Sequence, residues 1–307
     1  MALLLLMPGR ETGLLEDSLR ALSPKIDLRV WPNIGAEEDI RFAVVWNYPK
    51  GILTQLSGLE AISSLGAGVD HILQDRDLPQ NLRVVRIVDE NLVQDMTRFV
   101  VGVVLSRQCR LQDYARQQSE RKWLDLNRQT DETVTILGLG QLGAATAKAF
   151  VYLGFCVNGW SLTKKNLDGV NCLAGRGYLE AVLAETDYLI NLLPLTAQTC
   201  GVLNARIFDV LRPKAYLINA ARGEHLVEAD LMAALDNEKL SGAWLDVFQE
   251  EPLPPEHPFW THPKITVTPH IASATNPESV AAQIIENYGR TLAGRPLLHE
   301  VDRRRGY

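Results

Sequence analysis

The feature that most constrains this chain is a glycine-rich turn between a β-type run and a helical run. Residues 134 to 143 read VTILGLGQLG, and the helix-forming segment AATAKAFVYLG follows directly. Gly138 would permit the tight bend, Gly140 would let backbone approach a pyrophosphate, and Gly143 would let helix pack closely on strand. Backbone N–H groups at the helix start would then face the phosphates. In this strand–turn–helix context the motif favours a dinucleotide-binding α/β fold over a purely structural glycine turn.

Short apolar runs alternate with longer helical segments, which is typical of parallel sheets wrapped by helices. A first series of runs is ALLLLM, IDLRVW, FAVVWN, LEAISSL and RVVRIV, and a second is TVTILG, CVNGWS, YLINLLP, AYLINAA, GAWLDVF and ITVTP. A long helix is predicted from about Thr97 to Lys122, and Asn276-Pro277 should open a last helix. With 307 residues, we expect two α/β domains, the last helix returning to the first of them.

Composition excludes several classes of partner and site. The net charge of −6 gives no general reason to expect nucleic acid or an anionic membrane as a partner. The N-terminal ALLLLM is too short for a membrane span and has no preceding basic region, so it is interpreted as a buried strand. No CxxC pair occurs, which favours reduced, mostly buried thiols of a cytoplasmic protein over zinc ligands. The four cysteines are Cys109, Cys156, Cys172 and Cys200.

Three kinds of polar side chain follow strands of the second series. His270 comes directly after ITVTP, Arg222 just after AYLINAA, and Glu250 and Glu251 shortly after GAWLDVF. The carboxyl ends of strands are where an open α/β sheet carries its functional residues. Reduction of a ketone by hydride needs a proton donor and a cation that polarises the carbonyl, and a carboxylate would keep the histidine protonated. Each side chain alone is more often an ordinary surface group, but their complementary roles favour one site.

Several segments together resemble the D-isomer-specific 2-hydroxyacid dehydrogenase family. They are GLGQLG, NAARGEHLVEADLMAALD, GAWLDVFQEEPLP and TPHIA, while SLGAGVDHI, INLLPLTAQT and VDRRRGY resemble its glyoxylate/hydroxypyruvate reductase A branch. The resemblance implies an α/β protein with two Rossmann-like domains, each a doubly wound parallel sheet. The NAD(P)-binding domain, residues 97–276, would be inserted into a discontinuous, flavodoxin-like substrate domain, residues 1–96 and 277–307. It also implies a homodimer joined through the helix predicted over 97–122.

The resemblance further implies the catalytic roles. Arg222 would bind the carboxylate and carbonyl of a keto acid, and His270 would be the general acid. Glu251, which directly precedes Pro252 as in the family's E-P-L phrase, would be the carboxylate that pairs with His270. Asp246, at the end of GAWLD, would hold the nicotinamide carboxamide. No metal is implied.

The substrate and cofactor contacts follow in the same way. SLGAGVD resembles a loop whose glycines let successive backbone N–H groups point at one carboxylate, although a plain glycine turn is the alternative. Trp46 matches a position that faces the substrate, unless it is an ordinary aromatic. The implied substrate contacts are Trp46, Gly66, Ala67, Gly68, Arg222 and His270. The implied cofactor contacts are Gly138, Gly140, Gln141, Leu142, Gly143, Ser161, Thr163, Lys164, Leu193, Pro194, Ala220 and Asp246.

The stretch VNGWSLTKK indicates which cofactor is preferred. NAD-binding versions of the fold carry an acidic residue at about the position of Ser161, where it binds the ribose. Serine and threonine donate to phosphate oxygens and lysine adds positive charge, which predicts NADPH over NADH. The related branch carries an arginine where this chain has Leu162, so NADH remains possible and the preference should be less sharp. The alternative is that Lys164 and Lys165 are simply solvated.

Together these features predict a cytoplasmic reductase of glyoxylate or hydroxypyruvate, without nucleic-acid or membrane partners. Two alternatives stay open. One is another substrate within the family, such as phosphoglycerate or a lactate-type acid. The other is a dinucleotide-sensing binding protein of the same fold, since the family includes transcriptional corepressors.

Overall fold

The computed structural model describes residues 1–126, 132–175 and 179–307. The chain forms two compact units, one of Met1–Leu92 with Thr275–Tyr307 and the other of Val93–Ala274. Each unit is built on its own parallel sheet, of five strands in the first and seven in the second. The second unit is thus inserted between two segments of the first. The predicted fold class is confirmed.

The first unit has a parallel sheet in the order β2-β1-β3-β4-β5. Strand β1 lies inside it and all five of its side chains are buried, as a continuous apolar run requires. The strands are β1 (Ala2–Leu6), β2 (Asp27–Val30), β3 (Ile40–Val45), β4 (Ala61–Ser64) and β5 (Arg83–Val85). Its complete helices are α1 (Gly13–Leu22), α2 (Asp70–Leu73) and the last helix of the chain, α9 (Pro277–Leu292).

Helix α9 begins as the sequence predicts and packs against α1 and β3. Asn276 is its N-cap and accepts a hydrogen bond from the Glu278 N–H at 2.9 Å, while Pro277 occupies the first helical position. The predicted helix start is therefore confirmed.

The second unit has a parallel sheet in the order β12-β11-β10-β9-β6-β7-β8. Its strands are β6 (Thr133–Leu137), β7 (Cys156–Ser161), β8 (Val170–Ala174), β9 (Tyr188–Asn191), β10 (Ala215–Asn219), β11 (Leu240–Leu245) and β12 (Ile265–Val267). Its other complete helices, besides those of the next paragraph, are α5 (Gln141–Tyr152), α6 (Leu179–Leu183), α7 (Ala205–Val210) and α8 (Glu228–Asp236). Strand β8 was not predicted, because it is an edge strand with no fully buried residue and no strongly apolar run.

The single helix predicted from Thr97 to Lys122 is wrong. Two helices occur here, α3 (Glu90–Gln108) and α4 (Leu111–Ser119). Arg110, between them, has a left-handed backbone with φ 55°, which ends the first helix. Within the described residues, no helix is both long and apolar enough to cross a membrane.

The four cysteines are free thiols, but the expectation that they are mostly buried is wrong. Cys156 and Cys200 are exposed, and the other two are partly buried. Cys156 is the first residue of β7, at an end of the strand where the side chain reaches the surface.

Candidate active site

The glycine turn lies between β6 and α5, and each glycine is there for a different reason. Gly138 has φ 101°, and a Cβ on it would lie 2.6 Å from the carbonyl oxygen of Leu192. A Cβ on Gly143 would lie 1.8 Å from the Gly138 oxygen, so only glycine allows the helix to approach the strand this closely. Around Gly140, apart from its own chain neighbours, no atom of the described residues lies within 4 Å of a Cβ position. That side is open to a ligand.

The start of α5 fits the phosphates of a dinucleotide. Gly140 is its N-cap, and a glycine has no side chain that could cap this end. The first N–H groups of a helix have no partner within the helix and carry the positive end of its dipole, which suits an anion. Gln141 is exposed at this end and Leu142 is partly buried. These residues could therefore hold a pyrophosphate through backbone groups.

The predicted ribose-phosphate region lies at the end of β7. Ser161 is buried, and its hydroxyl donates to the Thr163 carbonyl oxygen at 2.8 Å. The next four residues, 162 to 165, are exposed. In this conformation Ser161 would accept rather than donate, so Thr163 and the two lysines are the groups free to reach a phosphate. The contact to a phosphate stays a prediction.

His270 and Glu251 form a hydrogen-bonded pair. His270 Nδ1 lies 2.7 Å from Glu251 Oε2, while Glu251 Oε1 accepts from the Phe248 N–H at 2.9 Å. Hydrogen bonds to both of its oxygens thus fix the Glu251 carboxylate in place. Since Nδ1 faces an acceptor, it carries the proton in the neutral ring, and Nε2 is the atom that can exchange a proton with a substrate. The structure brings these two predicted residues together.

The environment keeps Glu251 ionised. Burial by itself would raise the pKa of Glu251, but hydrogen bonds from His270 and the Phe248 N–H, with the positive charges of His270 and Arg222, lower it overall. Because the charge of Arg222 also lowers the pKa of Glu251, its guanidinium acts on the same carboxylate as His270. The site is therefore electrostatically coupled through this carboxylate, on which both His270 and Arg222 act.

Asp246 shapes the loop that carries His270. Its side chain is 1% exposed. One of its oxygens accepts from the Thr268 hydroxyl at 2.6 Å and the Ile271 N–H at 3.0 Å, and the other from the Ala272 N–H at 2.8 Å. Burial raises the pKa of Asp246, and these hydrogen bonds act in the opposite direction. The predicted contact of Asp246 with a nicotinamide carboxamide stays a prediction.

The loop bends sharply at His270 itself, which has φ 54°. A left-handed backbone is uncommon for a residue other than glycine and is retained where the surroundings fix it. The His270 N–H donates to the Asp246 backbone oxygen at 2.8 Å, so the same residue holds the bend from both its main chain and its side chain. The position of the imidazole thus depends on Asp246.

Arg222 follows β10 and is held through its neighbours. Its carbonyl oxygen accepts from the side-chain amide of Asn219 at 3.0 Å, and its guanidinium donates to the Ala221 oxygen at 2.6 Å. A Cβ on Gly223 would lie 1.9 Å from the Phe248 carbonyl carbon, so the chain after Arg222 touches the loop that leads to Glu251. Glycine at 223 is what lets these two loops approach.

A buried polar network under this edge of the sheet was missed by the sequence analysis. The Asn191 side-chain amide lies 3.0 Å from Asn219 Oδ1 and 2.9 Å from His225 Nδ1, and His225 Nε2 lies 3.3 Å from the Pro194 oxygen. His225 therefore accepts at Nδ1 and donates at Nε2, if the asparagine donates. Asn191 Oδ1 also accepts from the Leu193 N–H at 3.3 Å. The signal was present in the sequence, since β9 and β10 both end in the letters YLIN.

The network orders the loop that contains the predicted cofactor contacts Leu193 and Pro194. Ala220, another predicted contact, donates its N–H to the Asn191 backbone oxygen at 3.4 Å. Strands β6, β9 and β10 are neighbours in the parallel sheet. Their carboxyl ends, with the glycine turn, therefore share one edge, as expected of a doubly wound fold.

In the first unit, the loop after β4 carries the predicted substrate contacts. The Gly66 N–H donates to Ser64 Oγ at 3.2 Å, and Ser64 Oγ donates to the Gly68 oxygen at 2.7 Å. The expectation that the N–H of Gly66 points at a carboxylate therefore does not hold in this conformation, which leaves Ala67 and Gly68 as the predicted donors. Glycine is needed at 66 because a Cβ there would lie 3.1 Å from the Trp46 ring.

Comparison with known proteins decides the family. The family model for the NAD-binding domain of D-isomer-specific 2-hydroxyacid dehydrogenases matches residues 101–272. The chain belongs to this family. It is 42% identical over 296 residues to the glyoxylate/hydroxypyruvate reductase A of Yersinia enterocolitica, with 94% of each chain covered. It is 38% identical to the corresponding protein of Escherichia fergusonii over 314 residues, with 100% of both covered.

Solved dehydrogenases of this family have the same fold. One from Xanthobacter autotrophicus Py2, in complex with NADPH and MES, has a TM-score of 0.95 and 39% identity, covering 100% of this chain and 99% of that one. An NADPH-dependent glyoxylate/hydroxypyruvate reductase from Sinorhizobium meliloti, in complex with NADP and sulfate, has a TM-score of 0.92 and 34% identity, with the same coverage. The family resemblance found in the sequence is confirmed.

Within this dehydrogenase, the predicted residues divide between the units. The second unit carries the glycine turn, the region after β7, and the three catalytic candidates Arg222, Glu251 and His270. The first unit carries Trp46 and the loop of residues 66 to 68.

Proposed function

We propose that the protein is an NADPH-preferring reductase of short 2-keto acids, glyoxylate and hydroxypyruvate, which it converts to D-2-hydroxy acids. The observation that carries this proposal is the His270–Glu251 pair of 2.7 Å, with the charge of Arg222 acting on the same carboxylate. An imidazole that can donate a proton, together with a guanidinium that acts on the same carboxylate, suits a substrate that has both a carbonyl to protonate and a carboxylate to bind. Curated relatives named glyoxylate/hydroxypyruvate reductase A support the choice of substrate.

In the proposed reaction, the cofactor and each catalytic residue have separate roles. The reduced nicotinamide cofactor, when bound at the glycine turn, supplies the hydride. His270 gives the proton on Nε2 to the carbonyl oxygen, and Glu251, through Nδ1, orients the ring and stabilises its positive charge. Arg222 binds the carboxylate and polarises the carbonyl. The backbone N–H groups of Ala67 and Gly68, in the first unit, remain predicted donors to a carboxylate. Orientation and charge stabilisation then reinforce each other.

The cofactor preference rests on the residues after β7. The position where an acid would bind a free ribose hydroxyl is Ser161, and the exposed Thr163, Lys164 and Lys165 follow it. These groups attract a 2′-phosphate, whereas an acid would repel it. Similar dehydrogenases solved with NADPH or NADP support the same preference. NADH should still be used, because Leu162 adds no charge.

We also propose that two copies of the chain associate and act in the cytoplasm. The segment after α4 exposes Trp123 by 99% and Leu124 by 60%, and Leu111 in α4 is exposed as well. Large apolar side chains this exposed are typical of a surface that a partner covers. The four free thiols suit a reducing compartment.

The decisive experiment is a steady-state comparison of NADPH and NADH with glyoxylate, hydroxypyruvate, pyruvate and phosphohydroxypyruvate. We expect the highest kcat/KM for glyoxylate or hydroxypyruvate with NADPH. A higher kcat/KM for pyruvate or the phosphorylated acid would mean that the protein prefers another substrate of the family. Tight binding of NADPH without turnover of any keto acid would instead favour the dinucleotide-sensing alternative.

A further inference from the structure

Arg10, which follows β1 in the first unit, lies over an aromatic ring. Its guanidinium carbon is 4.7 Å from the centre of the Trp46 ring, a distance at which cation and π-face attract each other. Within the described part of the chain, no carboxylate pairs with Arg10. Its charge is therefore not neutralised by an ion pair. Although the whole chain has a net charge of −6, Arg10 thus carries a positive charge that no ion pair among the described residues balances.

Trp46 fixes where that charge lies. The ring of His71 is 4.9 Å from it and tilted by 51°. A third neighbour is Gly66, since a Cβ there would lie 3.1 Å from the indole. The indole thus contacts the loop predicted to bind a carboxylate and at the same time supports the guanidinium. The Trp46 ring therefore contacts both Arg10 and this loop.

A cavity of about 290 Å³ opens beside Arg10. It is lined by Arg10 and by Leu65, the residue directly before Gly66. Thr275 also lines it and donates from its hydroxyl to the Leu65 oxygen at 2.9 Å, so the start of the loop forms part of the wall. Glu11 is the acidic residue of the lining. The cavity has room for a small organic anion.

The loop itself supplies no charged side chain. It reads Gly66, Ala67, Gly68, and its donors are backbone N–H groups, one of which is already used by Ser64. An anion gains more from donors that are accompanied by a full positive charge than from neutral N–H groups alone. Arg10, on the Trp46 ring that also contacts Gly66, is a cation that can provide this charge.

We propose that Arg10 is a substrate-binding residue of the first unit, which attracts the carboxylate of the keto acid toward the loop of residues 66 to 68 and selects anionic substrates. This inference rests on the proposed function, and it adds a determinant that the motif-based assignment does not contain. Arg10 acts on binding and not on the transfer of hydride or proton. Its loss should therefore raise KM and leave kcat nearly unchanged.

The test compares Arg10→Gln and Arg10→Lys with the wild type. For Arg10→Gln we expect KM for glyoxylate to rise roughly fivefold at low salt, the size expected of one partly solvated charge, with kcat within twofold. Raising the salt concentration should shrink this difference, which a merely structural role of Arg10 would not predict. Arg10→Lys keeps the charge and should recover most of the affinity. Arg20→Gln, which removes the same charge from an exposed site on α1, is the matched control and should leave KM unchanged.

A KM for Arg10→Gln equal to that of the wild type at low salt would overturn the inference, and so would an equal change in Arg20→Gln. Failure of the proposed function is a separate result, namely no turnover of any keto acid by the wild type. In that case, calorimetric titration with oxalate replaces kinetics. Weaker oxalate binding by Arg10→Gln than by Arg20→Gln supports the anion site, and equal binding by both rejects it.

Discussion

At the scale of single residues, the two ends of the His270 ring have different tasks. Nδ1 is held by Glu251, and only Nε2 remains for the substrate. We predict that His270→Ala lowers kcat about 10²- to 10⁴-fold, because the proton donor is lost. The dissociation constant for NADPH, measured by fluorescence, should stay within twofold. His262→Ala is the control, since His262 precedes β12 whereas His270 follows it. Turnover near the wild-type rate in His270→Ala would refute the role.

Glu251 makes a prediction about pH. Its pKa lies below the ordinary value of 4.5, so the folded protein holds this proton less tightly than the unfolded chain does. The stabilisation by Glu251 is therefore fully present above pH 4.5 and is lost as the pH falls through the lowered pKa. Urea unfolding of wild type and Glu251→Gln should show a difference in the free energy of unfolding at pH 6 that shrinks toward pH 3. A difference that is independent of pH would contradict this account.

The position of Ser161 offers a direct test of the proposed cofactor preference, because an acid there would reverse it. An aspartate at this position would repel a 2′-phosphate and accept a hydrogen bond from a free ribose hydroxyl. We predict that Ser161→Asp lowers kcat/KM for NADPH at least tenfold and raises the NADH/NADPH ratio. Ser161→Ala should change the ratio little, because the hydroxyl donates to the Thr163 oxygen. If Ser161→Asp keeps the wild-type ratio, the preference is set elsewhere.

At the scale of elements, the ends of β9 and β10 form a support for the loops above them. Asn219 Oδ1 accepts a hydrogen bond from the Asn191 side-chain amide, and the Asn219 amide donates to the Arg222 carbonyl oxygen. We predict that Asn219→Ala destabilises the protein by about 1–3 kcal/mol, because buried partners are left without hydrogen bonds. It should also raise KM for the keto acid, because the loop of Arg222 loses its anchor.

The matched control for this prediction is Asn204→Ala. Asn204 caps α7 by accepting from the Ile207 N–H, and its side-chain amide donates to the Gly201 oxygen and not to the carbonyl of Arg222. Loss of the cap should cost about 1 kcal/mol without changing KM. Chemical unfolding and steady-state kinetics on both variants separate loss of stability from loss of the site. Equal kinetics in the two variants would show that Asn219 is only structural.

At the scale of the whole molecule, the exposed apolar segment after α4 is the feature that an isolated chain does not explain. We predict that sedimentation velocity at micromolar concentration gives a dimer for the wild type and a smaller dimer fraction for Trp123→Ser. Leu14→Ser, which removes an exposed apolar side chain from α1, should sediment like the wild type. A monomeric wild type would reject the proposed association.

The sequence by itself determined the glycine turn, most of the strands and the strand ends at which Arg222, Glu251 and His270 lie. These features depend on local chemistry: glycine where no Cβ fits, apolar runs where a strand is buried on both faces. It did not reveal the end of α3, because the left-handed conformation of Arg110 leaves no mark in the residue type.

Only the tertiary structure decided which polar groups meet. Asp246 and the Asn191–Asn219 pair hold loops from positions distant in the chain, and Ser64 takes the N–H of Gly66 that was expected to face a carboxylate. The proximity of Arg10 to Trp46 is of the same kind. Hydrogen bonds and ring contacts of this sort require distances of a few ångströms between residues from different elements, and these distances are fixed when the sheet and its loops pack, not by the spacing of residues along the chain.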